Sequence, residues 1–273
     1  MASTALRAFA LLALLSLAAG LQRADNFTGF EDLSLTVTIT TNLNGTAHVK
    51  EDVRLAVQPG SAELYKQSIR STRLTIEDWK NATGSKNLRY HVLGANFSPA
   101  NTRLFPQPLT RLQFVDTSIA VISIEYDTSG PIFTMEEVGP RRTQYTLIGH
   151  ALSFENAPEG QVIPENTVLT INVLPNSRAS LSAIFPRPTY PAGDSVSSSR
   201  YYMWNATGGA IPLTPMLFSF VTEESLDQEV SEYFNAVQAS VTDLVFSNYG
   251  VLAAFVAIVL GALYFVLRQA KAI

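Results

Sequence analysis

The chain carries three imidazoles, His48, His91 and His150. None has a second histidine at metal-ligand spacing, and no His-Glu-x-x-His run occurs, so no metal site is expected. Each lies in a strand-like stretch, where a histidine is more often a hydrogen-bonded structural residue than a ligand. Cysteine is absent, which removes thiol nucleophiles and thiolate ligands. No Gly-x-Ser-x-Gly, P-loop or Gly-x-Gly-x-x-Gly pattern is present, so no nucleotide cofactor is expected either. Catalysis would need a serine or carboxylate constellation. Asp127 and the pair Glu136-Glu137 are the named candidates, and carboxylates beside Gly-Pro turns are usually solvated. The expectation is a protein that is not an enzyme, with no catalytic, cofactor or metal residue.

Residues suited to binding are easier to find. Tyr201, Tyr202 and Trp204 form an aromatic cluster in which alternation puts Tyr202 and Trp204 on one face. Exposed, they would stack on a sugar or a partner. Buried, they would pack against Phe218 and Phe220 as core. Arg141-Arg142 follows Gly139-Pro140 at a hairpin tip and could meet an anionic partner, although a solvated turn explains it as well. Five Asn-x-Ser/Thr sequons, at Asn26, Asn44, Asn81, Asn96 and Asn205, are glycosylation candidates. The proline after Asn96-Phe-Ser disfavours modification there.

The elements that would position these residues are mainly β. Leu33, Leu35, Val37 and Ile39 alternate with Ser34, Thr36, Thr38 and Thr40, a half-buried strand. Asn42-Leu-Asn-Gly45 turns the chain, and Thr46–Val57 returns with Ala47, Val49, Val53, Leu55 and Val57 in phase. Glu51 breaks that apolar face, which predicts a bulge or a sheet edge. Short helices are expected over Ser61–Ile69 and, behind a Thr75/Asp78 cap, over Ile76–Ala82. Leu88–Phe97, Arg111–Asp116, Ser118–Asp127, Ile132–Val138, Thr143–Phe154 and Thr167–Leu174 read as strands. Tyr201–Trp204 and Met216–Val221 read as a closing hairpin. Turn signals every eight to fifteen residues predict an antiparallel β-sandwich, or two, with a sub-boundary near 155–164.

Both ends read as membrane signals. Residues 1–20, with Arg7, an apolar run Ala8–Leu17 and the small residues Ala18-Ala19-Gly20, resemble a secretory signal peptide. Leu244–Leu267 holds 24 residues without a charge, enough for a helix of about 17–25 apolar residues to cross a bilayer. Arg268 and Lys271 in the last six residues place the tail in the cytoplasm. The organisation read is a signal peptide at 1–20 and a β-rich extracytoplasmic domain at 21–222. An amphipathic juxtamembrane helix comes next at 223–248, then a transmembrane helix at 249–267 and a tail at 268–273. The exported part holds all 23 acids and 16 of the 19 bases, a net −7, which argues against nucleic acid as a partner. Ala253, Ala257 and Gly261 form a small-residue column through which two spans could associate.

The sequence thus predicts a single-pass type I protein of the cell membrane, with its ectodomain outside. Sequons, outward topology and absent cysteine together fit an archaeal envelope, with bacterial export as the alternative. The expected role is a non-enzymatic binding or accessory module for a protein or glycan. A membrane-tethered envelope hydrolase and a surface-layer or stalk component are the competing roles.

Overall fold

The computed structural model describes residues 29–71, 74–112, 116–193 and 195–223, together with 238, 250, 253, 254, 256 and 258–260. The chain divides into two compact units, Met1–Thr222 and Glu223–Ile273. In the second unit the described residues beyond Glu223 are helical, with Val256, Ile258, Val259 and Leu260 exposed. Among the described residues no helix is long and apolar enough to cross a membrane. Most of Leu244–Leu267 lies outside them.

Among its described residues the first unit is mainly β, with two short α-helices and several sheets, and its layers give it a β-sandwich-like build. Its spine is three long strands, β1 (Phe30–Thr41), β2 (Ala47–Val57) and β5 (Ser118–Thr128). They pair antiparallel, β1 with β2 and β2 with β5. Alternation does the sorting here. Leu35, Val37 and Ile39, then Val49, Val53 and Leu55, then Ala120, Ile122 and Ile124 all point inward and are fully buried. β3 (Pro99–Pro106) and β4 (Thr110–Arg111) share the far side of β5. On the other flank β1 pairs in parallel with β10 (Thr167–Asn172), and β10 carries β13 (Tyr201–Asn205) at the edge.

The second layer is a five-stranded sheet. It contains β6 (Phe133–Gly139), β7 (Arg142–Leu147), β11 (Ser177–Ser180), β12 (Val196–Ser197) and β15 (Ser219–Glu223). β8 (Glu155–Ala157), β9 (Gly160–Ile163) and β14 (Ile211–Pro212) form a third, small sheet. Phe218 and Phe220 meet Phe133, Tyr145, Tyr202 and Trp204 at ring separations of 5.0–6.4 Å, so one continuous core joins the layers.

Helix α1 (Pro59–Ile69) starts with proline in its first turn, where a missing N–H costs nothing. Helix α2 (Ile76–Thr83) opens on the expected capping box: Thr75 Oγ1 accepts from the Asp78 N–H, and Asp78 accepts from the Thr75 N–H. It closes on Gly84 in the left-handed conformation. Tyr65 and Trp79 bring the two helices together at a ring separation of 5.3 Å.

Four expectations are corrected. Glu51 sits at neither a bulge nor an edge: both ladders run through it without a register shift, Val37 on one side and Ile124 on the other. Leu88–Phe97 is not a strand but an irregular segment with isolated bridges, Val92 to Leu152 and Gly94 to Phe97. Tyr201–Trp204 and Met216–Val221 do not form a hairpin. They belong to different layers and meet face to face through their aromatic rings. Segment Arg111–Asp116 reaches only as far as Arg111 as strand, and 113–115 lie outside the described residues.

Candidate functional site

The inward face of β2 offers an apolar slot at position 51 and fills it with a glutamate. Glu51 is fully buried, as are His91 and Tyr126, each about 1% exposed. A carboxylate there is tolerable only if donors replace its lost hydration. They do. The His91 N–H donates to Oε1 at 2.8 Å, and the Tyr126 hydroxyl donates to the same oxygen. His91 Nδ1 lies 2.7 Å from Oε2. Tyr126 in turn accepts the Val92 N–H at 3.1 Å. Desolvation, reinforced by the Glu51 carboxylate, pushes the Tyr126 phenol far above its ordinary range.

This network explains how an irregular segment stays in place. The segment has few ladder bonds, so side chains replace them. The His91 carbonyl takes the Ser153 N–H at 2.8 Å, the Leu93 N–H donates to Ala151 at 3.1 Å, and the His91 ring packs on Phe154 at 5.2 Å. Arg89 Nη2 donates to the Phe154 carbonyl at 2.8 Å. Its Nε is buried with no acceptor among the described residues.

The same segment walls a cleft. An open hollow of about 630 Å³ lies between the start of α2 and β3, lined by Leu74, Ile76, Glu77, Arg89, Tyr90 and Thr102 among others. Its surface mixes aliphatic carbons with hydroxyls and one charge of each sign. Tyr90 Oη and Thr102 Oγ1 stand 3.1 Å apart across it. The Tyr90 ring meets Tyr126 edge-on at 4.9 Å, so one aromatic layer separates the cleft from Glu51. Such mixed, concave surfaces are where small ligands and peptide segments bind.

The residues singled out in the sequence scatter. His48 is exposed on β2; its Nδ1 lies 2.9 Å from Asp127 Oδ1, and Asp127 also accepts from Asn101 at 3.1 Å. Those two bonds hold the Asp127 carboxyl below its ordinary range, the His48 contact contributing most. No hydroxyl is bonded to His48 among the described residues. His150 is exposed in a turn, and Glu136 and Glu137 are exposed on β6. Arg141 and Arg142 sit at the β6–β7 turn, Arg141 with φ +63°. Tyr202 and Trp204 are fully buried against Phe218 and are core, the second of the two readings above, so neither offers a binding surface. Their neighbour Tyr201 is the exposed member, stacked on Tyr190 at 4.9 Å.

Of the sequons, Asn26 lies outside the described residues. Asn44 and Asn96 are exposed in turns, Asn205 ends β13, and Asn81 is on α2. Asn44 and Asn205 share one geometry: the amide oxygen accepts the hydroxyl and the N–H of the threonine two residues on. At Asn81 the sequon threonine, Thr83, is buried and donates to the Trp79 carbonyl instead. Ala253 is helical, while Ala257 and Gly261 lie outside the described residues.

No protein-family model matches this chain, and no curated protein matches it. Among solved structures it is similar to the Fcho1 Mu homology domain of Danio rerio with bound Eps15 peptide. That likeness has 9% identity over 71% of this chain and 80% of that one, with a TM-score of 0.18. A score this low informs neither fold nor function.

Proposed function

We propose that this chain is an exported, non-enzymatic binding or accessory module, held at the cell surface as a single-pass type I membrane protein. Its ligand is a protein or glycan segment taken into the cleft between α2 and β3. The observation that carries the reading is that cleft: concave, of mixed polarity, and walled by a segment fixed to the core through Glu51. The membrane part rests on the sequence, on the apolar run Ala8–Leu17 and the uncharged stretch Leu244–Leu267. Self-association through Ala253, Ala257 and Gly261 belongs to the same proposal.

The test uses the protein in its native membrane. Partners cross-linked to the wild type are compared with those of Thr102→Trp, which fills the cleft from an exposed strand. The reading expects one partner to be lost from Thr102→Trp while surface delivery and thermal midpoint stay the same. An unchanged partner set would overturn the cleft as the binding site.

The envelope-hydrolase reading draws on one observation, the exposed His48–Asp127 pair. That is the base and the orienting acid of a serine-type arrangement, without its nucleophile. Labelling by a fluorophosphonate probe that His48→Ala abolishes would favour it. An unlabelled wild type would remove it.

A further inference from the structure

Glu51 is the common acceptor for three donors drawn from two parts of the chain. Two belong to His91 in the irregular segment, and the third is the Tyr126 hydroxyl of β5. Residues 88–90 line the cleft and His91 comes directly after them, so the cleft wall hangs from a buried carboxylate. We propose that Glu51 is a proton-operated latch: ionised, it holds residues 88–93 against β2 and β5, and protonated, it releases them and reshapes the cleft.

The physical reason lies in what one proton changes. With Glu51 ionised, all three bonds are charge-assisted, roughly twice as strong as neutral ones. The ring proton then sits on Nδ1, in the 2.7 Å contact with Oε2. A proton on the carboxyl makes the three bonds neutral, and its O–H finds an acceptor in His91 Nδ1 only if the ring proton moves to Nε2. If the imidazole is charged as well, a buried cation is left without a counter-ion.

The titratable and charged groups near the latch are few among the described residues. β5 contributes Tyr126. The irregular segment contributes His91, Tyr90 through its contact with Tyr126, and the Arg89 guanidinium anchored on the Phe154 carbonyl. Residues 151–154 contribute only backbone and the Phe154 ring. β1 places Val37 beside Glu51. Release stays local because β1, β2 and β5 keep their own ladders, whereas 88–93 has few backbone bonds to lose.

Hydrogen–deuterium exchange on the full chain in nanodiscs tests this, at about pH 7.5 and about pH 4.5 with intrinsic rates corrected. The latch predicts at least about tenfold loss of protection at acid pH in residues 88–97 and 150–154, with β1, β2 and β5 unchanged. Glu51→Gln should show the low protection at both pH values. Should that variant fail to fold, Tyr126→Phe serves: it removes one donor from the ionised carboxyl, so the acid transition should move toward neutral pH. Equal protection at both pH values overturns the proposal. So does simultaneous loss across the central strands, a pH response retained in Glu51→Gln, or an unmoved transition in Tyr126→Phe. Partner binding through the cleft at neutral pH needs no latch, so the two readings fail separately.

Discussion

Glu51 also makes a stability statement that does not depend on any switch. Replacing it by leucine suits the apolar slot but leaves the His91 N–H, its ring nitrogen and the Tyr126 hydroxyl without their acceptor. Breaking a buried charged network by removing one partner typically costs about 3–5 kcal/mol. Glu51→Leu should therefore lower stability by that order in urea unfolding, more than Val49→Ala one pair away on the same face, for which about 1–3 kcal/mol is expected. An equal or smaller loss would mean the network is energetically idle. The tyrosines give a second residue-scale expectation. Burial raises the phenols of Tyr65, Tyr126 and Tyr202 above the ordinary value of 10.0. In each case the folded state keeps a proton that the unfolded chain gives up. Their contribution is thus complete below about pH 10 and is lost as pH rises beyond it. Phenolate absorbance should show these buried tyrosines, among the ten of the chain, ionising after the exposed ones. Smooth titration of all ten in the folded protein would contradict that burial.

The elements that were legible in the sequence are those whose own periodicity decides them. The alternation of Leu35, Val37 and Ile39 against threonines wrote β1, and Asn44-Gly45 wrote the turn into β2. The Thr75/Asp78 spacing wrote the start of α2. Leu88–Phe97 was not legible, because its place is set by Glu51 forty residues upstream and by Ser153 sixty residues downstream. The one local signal was Glu51 itself, an acid on an apolar face. The misread β13/β15 pairing has the same origin: alternation fixes which side chains face inward, but not whether they meet along a ladder or across layers. The β1–β2 turn makes the most exposed element-scale prediction. Gly45 has φ +75°, and its carbonyl accepts the N–H groups of both Ile132 and Phe133. A Cβ there would sit 2.7 Å from the Phe133 carbonyl oxygen. Gly45→Ala combines positive-φ strain with that clash, so a loss of about 1–3 kcal/mol is expected. A thermal midpoint within a degree of wild type would show that the turn can relax.

At the scale of the whole molecule, the described strands of the first unit are kept from pairing with other chains. Its edges are guarded. β3 begins and ends in proline and bulges between Ala100 and Arg103, and β6 carries Glu136, Glu137 and a bulge before Gly139. Its core is continuous from Leu35 to Phe220 without a disulfide. In the proposed reading, attachment to the membrane comes from outside these strands. The uncharged stretch Leu244–Leu267 is long enough to supply it. The two parts should then behave oppositely. The full chain is expected to stay with membranes through alkaline carbonate extraction, with its ectodomain cut by protease added to intact cells. A chain ended at Glu223 should leave the cell in soluble form, with a stability within about 0.5 kcal/mol of the membrane-held ectodomain. Full-length protein released by carbonate would remove the anchor. A shortened chain that aggregates would instead show that the first unit depends on residues 224–273 to remain soluble.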